Sequence, residues 1–69
     1  MLVKLQRGLI TVMLTDVNKK GFQEICGKYS EHLKFDICDR FAHIYSIDVN
    51  DYLFEFLREL SEIFKIILI

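Results

Sequence analysis

The sequence predicts an α+β fold, a two-layer βαββαβ open-faced sandwich in which an antiparallel sheet carries two helices on one of its faces. Three observations predict it. Apolar and polar residues alternate with period two from Leu33 to Val49, the signature of half-buried strands. The segments Phe22–Leu33 and Leu53–Phe64 instead repeat apolar residues at the three-and-four spacing of amphipathic helices. Finally, the 69 residues are 52% apolar and 28% charged with no proline, which disfavours disorder and leaves room for one core. No linker or low-complexity tract interrupts the chain, so residues 1–69 read as a single domain without internal repeat.

The elements follow in order. Leu9–Thr15 reads as a strand, with Ile10, Val12 and Leu14 on one face and Leu9, Thr11, Met13 and Thr15 on the other. Ahead of it, Gly8 permits either a bulge in one long strand from Leu2 or a hairpin turn at Arg7-Gly8. Thr15, Asp16 and Asn18 are N-cap types, and Phe22, Ile25, Cys26, Tyr29 and Leu33 then mark a helix over 17–32. Gly21 and Gly27 weaken that helix, and a close helix crossing at Gly27 would account for one of them.

The alternating segment is too long for a single strand in so small a domain, so it folds back at its most polar point, Asp39-Arg40. An odd loop around Cys38-Asp39-Arg40 keeps Phe35, Ile37, Phe41, Tyr45 and Ile47 on one face, whereas a two-residue loop divides them. We therefore expect the odd loop. Asn50 or Asp51 caps the second helix, whose stripe is Leu53, Phe56, Leu57, Leu60, Ile63 and Phe64. The terminal KIILI, Lys65–Ile69, reads either as a last short strand or as a continuation of the second helix, since no Gly, Asn or Pro marks a boundary, and the strand is preferred.

This arrangement places Ile10, Val12, Leu14, Phe35, Ile37, Tyr45 and Ile47 beneath the helices. It leaves Leu9, Met13, Cys38, Ala42 and Ile44 on the open side of the sheet. A sheet covered on one side does not leave an apolar face in water without cost, so Leu9, Met13, Ala42 and Ile44 are the candidate interface of a homo-oligomer. A protein partner is the alternative occupant.

The function classes narrow by exclusion. A net charge of −1 argues against nucleic acid and anionic membranes, and no apolar run approaches the ~18 residues of a membrane span. The halves are asymmetric: residues 1–34 carry six basic and three acidic side chains, and residues 35–69 carry three and seven, which suits two helices facing each other. Lys4 and Arg7 interrupt the N-terminal apolar stretch, so a secretory signal is not expected and cytoplasmic residence with reduced Cys26 and Cys38 is.

Cys26, His32, Cys38 and His43 match no zinc spacing, and the serines have no nucleophile motif around them. The acidic pairs Asp36/Asp39 and Asp48/Asp51 fall at turns and helix starts, where capping explains them. No glycine-rich phosphate loop is present. The expectation is therefore a protein that is not an enzyme and needs neither cofactor nor metal.

The segments FQEICGKYSEHLKFDI (22–37) and HIYSIDVNDYLFEF (43–56) resemble HPr-like phosphocarrier domains over about half the chain. The resemblance implies a strand-helix-strand-strand-helix-strand order. It does not carry the phosphotransfer chemistry, because the family's active-site His at the start of the first helix is replaced here by Thr15-Asp16-Val17-Asn18. Asp51 falls where the family's regulatory Ser opens the second helix. The same order resembles ferredoxin-like modules, including dimerising and amino-acid-binding regulatory domains. The expected function is a regulatory or protein-interaction domain that self-associates through its sheet face, with a small-molecule-binding or HPr-like module lacking phosphotransfer as the alternative.

Overall fold

The computed structural model describes residues 1–47 and 52–69. Its elements are β1 (Leu2–Gln6), β2 (Leu9–Met13), α1 (Lys19–Lys28), β3 (Leu33–Cys38), β4 (Phe41–Ser46), α2 (Tyr52–Ile63) and β5 (Ile67–Leu68). The class is α+β. The order is ββαββαβ rather than βαββαβ, because Arg7-Gly8 turns the N-terminal segment into a hairpin with Gln6 opposite Leu9. Gly8 supplies the positive φ of 63° that this turn requires, a conformation without penalty only for glycine. The sheet order is β3-β4-β2-β1-β5. All its pairs are antiparallel except β1 with β5, so the sheet is mixed.

The β3–β4 turn corrects the odd-loop expectation. Cys38 pairs with Phe41 and Ile37 with Ala42, which leaves a two-residue loop of Asp39 and Arg40. Asp39 adopts φ 57°, and Asp is among the few residues other than glycine that tolerate the left-handed region. That tight turn reverses the faces of β4. Ala42 and Ile44 are 0% exposed and lie in the core beside Ile10 and Val12, so neither is part of an open face. Phe41, His43, Tyr45 and Ile47 take the outer side instead, with Ile47 55% exposed. The space beneath the helices already holds the rings of Phe22, Phe35 and Phe56, so β4 contributes small or branched residues there.

Both helices pack on one face. The rings of Phe22 and Phe56 meet edge-on with centroids 5.9 Å apart, and Phe35 on β3 reaches both, at 6.5 and 5.4 Å. Edge-to-face pairs of this kind add ~0.5–1.5 kcal/mol beyond area burial. Val3, Ile10, Val12, Leu14, Ile25, Leu33 and Leu60 complete the core. Of the predicted α2 stripe, Ile63 lies outside it at 59% exposure. The predicted caps Asn50 and Asp51, with Asp48 and Val49, fall outside the described residues.

Helix α1 is shorter than the predicted 17–32, because residues 15–18 form their own turn. The Thr15 N–H donates to Asn18 Oδ1 at 2.8 Å, and the Asn18 N–H donates to Thr15 Oγ1 at 3.2 Å. This reciprocal pair works like a capping box and explains why Asn18 is the one buried polar side chain among the described residues. The helices are joined across their solvent side by Lys28 Nζ to Glu59 Oε1 at 2.9 Å, basic half to acidic half.

The glycines reverse expectation. A Cβ at Gly27 would meet nothing within 4 Å, whereas at Gly21 it would stand 2.8 Å from Phe64 Cζ. The close approach is therefore at Gly21, against the residue that follows α2. Gly27→Ala is expected to stabilise the domain by ~0.5–1 kcal/mol through helix propensity alone. Gly21→Ala gains the same propensity but must displace the outer end of the Phe64 ring, so its urea midpoint should lie below that of Gly27→Ala.

The registers contain a symmetry the sequence does not announce. Units β1-β2-α1 and β3-β4-α2 are each a tight hairpin followed by a helix. The antiparallel β2–β4 ladder has Thr11 opposite His43 at its midpoint, with Ile10 opposite Ile44 and Val12 opposite Ala42 on either side. An approximate two-fold normal to the sheet, through Thr11 and His43, relates the two units.

Candidate functional site

The helix-free face of the sheet is ordered in three rows that cross the strands. The first runs Lys34, Tyr45, Leu9, Gln6; the second runs Asp36, His43, Thr11, Lys4. The third runs Cys38, Phe41, Met13, continuing to Leu2 and Ile67. Sequence alternation put Leu9, Met13 and Cys38 on this face, and they are on it; Ala42 and Ile44 are replaced by Phe41, His43 and Tyr45. The signal that could have found these three is the Asp39 turn, whose tolerance of positive φ permits the two-residue loop.

The third row is the apolar one. Leu2 is 37% exposed, Phe41 47% and Ile67 50%, an unusual density of large apolar side chains on one side of so small a sheet. The other two rows are laced together. Thr11 Oγ1 lies 3.0 Å from His43 Nδ1, and Tyr45 Oη donates to Asp36 Oδ2 at 3.1 Å. The Lys34 ammonium sits 5.8 Å from the Tyr45 ring centroid, and hydrogen bonding to Tyr45 and the neighbouring charges, Asp36 among them, raise it above its ordinary value. These contacts link neighbouring side chains across β2, β3 and β4 on this face. Thr11 and His43 face each other at the middle of the β2–β4 ladder, so their bond is a cross-strand contact.

A second apolar surface lies at the side, where Leu5, Phe54, Leu57 and Leu68 line the space between α2 and the β1–β5 edge. A cleft of about 410 Å³ opens at the other end of the sheet, lined by Thr15, Asp16, Lys19, Asp39 and Arg40 among others. Its two cations and two carboxylates cancel, so it has no net preference for ligand charge.

Cys26 and Cys38 are far apart in kind. Burial pushes the Cys26 thiol up to about 12, while Cys38 stands exposed on the sheet face. In the native chain, iodoacetamide at neutral pH should modify Cys38 and spare Cys26 until the protein unfolds. Because the folded value of Cys26 is raised, its contribution to stability is complete below about pH 9 and is lost as pH rises towards about 12. Among the described residues no three His, Cys, Asp or Glu side chains are grouped to hold a metal ion. No described helix is long and apolar enough to cross a membrane.

No family model, curated protein or solved structure matches this chain.

Proposed function

We propose that this protein is a small non-enzymatic regulatory or interaction domain that associates with a second copy of itself through the open face of its sheet. The observation that carries this reading is the apolar row of Leu2, Met13, Phe41 and Ile67 on the face opposite the two described helices. Leu9 and Met13 keep the role expected of them from the sequence, and Phe41 and Tyr45 take the places of Ala42 and Ile44. The face spans four strand intervals of ~4.8 Å and is ~17 Å long, at the small end for a specific interface, so a dissociation constant in the micromolar range is expected.

Phe41→Asp tests the reading. The side chain is half exposed and outside the core, so the variant should fold with wild-type circular dichroism and lose self-association in sedimentation velocity. A wild-type chain that sediments as an 8.2 kDa monomer at every concentration up to several hundred micromolar would overturn it.

A second reading, a small-molecule-binding module, is favoured by the cleft at Thr15, Lys19 and Arg40. Amino acids, nucleotides and phosphosugars should then raise Tm as their concentration increases. A flat thermal-shift series across all three classes would dismiss it.

A further inference from the structure

The open face is self-complementary in only one of its two symmetric orientations. Its middle row is a charge gradient, with Asp36 on the outer strand β3, His43 and Thr11 in the centre, and Lys4 on β1 at the opposite side. Asp36 and Lys4 are both exposed, and they lie on opposite sides of the β2–β4 ladder. Two sheets that pack face to face stand ~10 Å apart with their strands within ~30° of alignment, so the choices of two-fold axis are few.

An axis in the interface running across the strands lays each row-two residue over its own copy. Asp36 then faces Asp36 and Lys4 faces Lys4, while the apolar row falls on the row containing Lys34 and Gln6. An axis running along the strands, between β2 and β4, keeps each row at its own height and reverses it from side to side. Asp36 then faces the partner's Lys4, His43 faces Thr11, Phe41 faces Met13, Cys38 faces Leu2, and Tyr45 faces Leu9. Leu2, Leu9, Met13, Phe41, Cys38 and Tyr45 each meet one another across the axis, Lys34 meets Gln6, and the middle-row charges Asp36 and Lys4 are matched twice, once on each side of the axis.

We infer that a second copy of this chain docks on the open sheet face about a two-fold axis parallel to the strands, with Asp36 of each copy opposite Lys4 of the other. This rests on the self-association proposed above and specifies its geometry. The apolar row gives the contact its affinity, and the charge gradient selects the orientation, since like charges placed opposite each other oppose docking while matched ones permit it. The approximate two-fold within each chain would otherwise make the two orientations nearly equivalent in shape. The Asp36/Lys4 gradient is what separates them.

The test is a charge exchange read by sedimentation velocity on the full chain. Asp36→Lys alone and Lys4→Glu alone each create two like-charge oppositions in the dimer, and each should weaken self-association by about tenfold. Both substitutions sit on exposed positions, and circular dichroism confirms that each variant folds. Mixed in equal amounts, the two variants should recover wild-type affinity as a heterodimer. In that complex the new lysine at position 36 faces the new glutamate at position 4, and the unaltered Asp36 of one chain faces the unaltered Lys4 of the other. Single variants that associate like the wild type, or a mixture no tighter than either variant alone, would overturn this geometry while leaving self-association standing. A wild-type chain that is monomeric throughout would remove the proposed function itself.

Discussion

Substituting lysine for Ile44 is expected to leave the chain unfolded, with no cooperative urea transition, whereas lysine at the adjacent Tyr45 leaves the fold intact. Ile44 is fully buried between its ladder partners Ile10 and Phe35, and an ammonium there has no acceptor to pair with. Burying an unpaired charge ranks among the few single changes that cost more than ~4–5 kcal/mol. A domain of this length is worth only ~3–10 kcal/mol in total, at ~0.05–0.15 kcal/mol per residue. Tyr45 points the other way, and its replacement removes a surface hydrogen bond to Asp36 and its contact with Lys34. That change should move the urea midpoint by no more than ~1 kcal/mol equivalent. The reverse outcome, a tolerated lysine at 44 and an unfolded chain with lysine at 45, would mean that β4 pairs one residue out of the register described.

The second large effect is expected at Phe56. Its ring is fully buried and touches Phe22, Tyr29 and Phe35, with centroids 5.4–5.9 Å away, so it ties α1, α2 and β3 together. Phe56→Ala should cost ~3–5 kcal/mol and leave most molecules unfolded at room temperature. Phe56→Leu keeps much of the volume and loses the edge-to-face geometry, so it should remain folded with an intermediate urea midpoint. Equal midpoints for wild type and Phe56→Ala would show that this four-ring cluster is not the centre of the core.

Much of this architecture is legible in the residues. The α2 periodicity, the β2 alternation and the fold-back at Asp39-Arg40 can each be read from spacing alone, because each depends on local pattern, whereas the final strand has no Gly, Asn or Pro to separate it from the helix before it. The face assignment of β4 cannot. Its odd positions, Phe41, His43, Tyr45 and Ile47, and its even positions, Ala42 and Ile44, are both apolar enough to be a core face. Aromatic volume points to the odd set, but the room beneath two helices filled by Phe22, Phe35 and Phe56 suits the even set. One residue's backbone, Asp39 at φ 57°, decides the parity and with it half of the candidate interface. Leu9 and Met13 escape the ambiguity because Ile10, Val12 and Leu14 leave their strand a single plausible inner face.

The approximate two-fold is hidden for a related reason. The two ββα units share a pattern of turn, strand and helix but not side chains: Leu9 corresponds to Phe41 and Val12 to Ile44, so no self-similarity survives at the level of letters. Gly21 is equally opaque, since its reason is Phe64, far away in sequence, and nothing local marks the contact.

The claim that the open face is where this protein meets its own copy is tested most directly by a dilution series of ¹H–¹⁵N correlation spectra of the wild-type chain, from about 10 μM to about 1 mM. The amides of Leu9, Thr11, Met13, Phe41, His43 and Tyr45 should shift with concentration, while those of α1 and α2 stay fixed. Spectra that do not change with concentration, or changes confined to Leu5, Phe54, Leu57 and Leu68 at the side of α2, would contradict it.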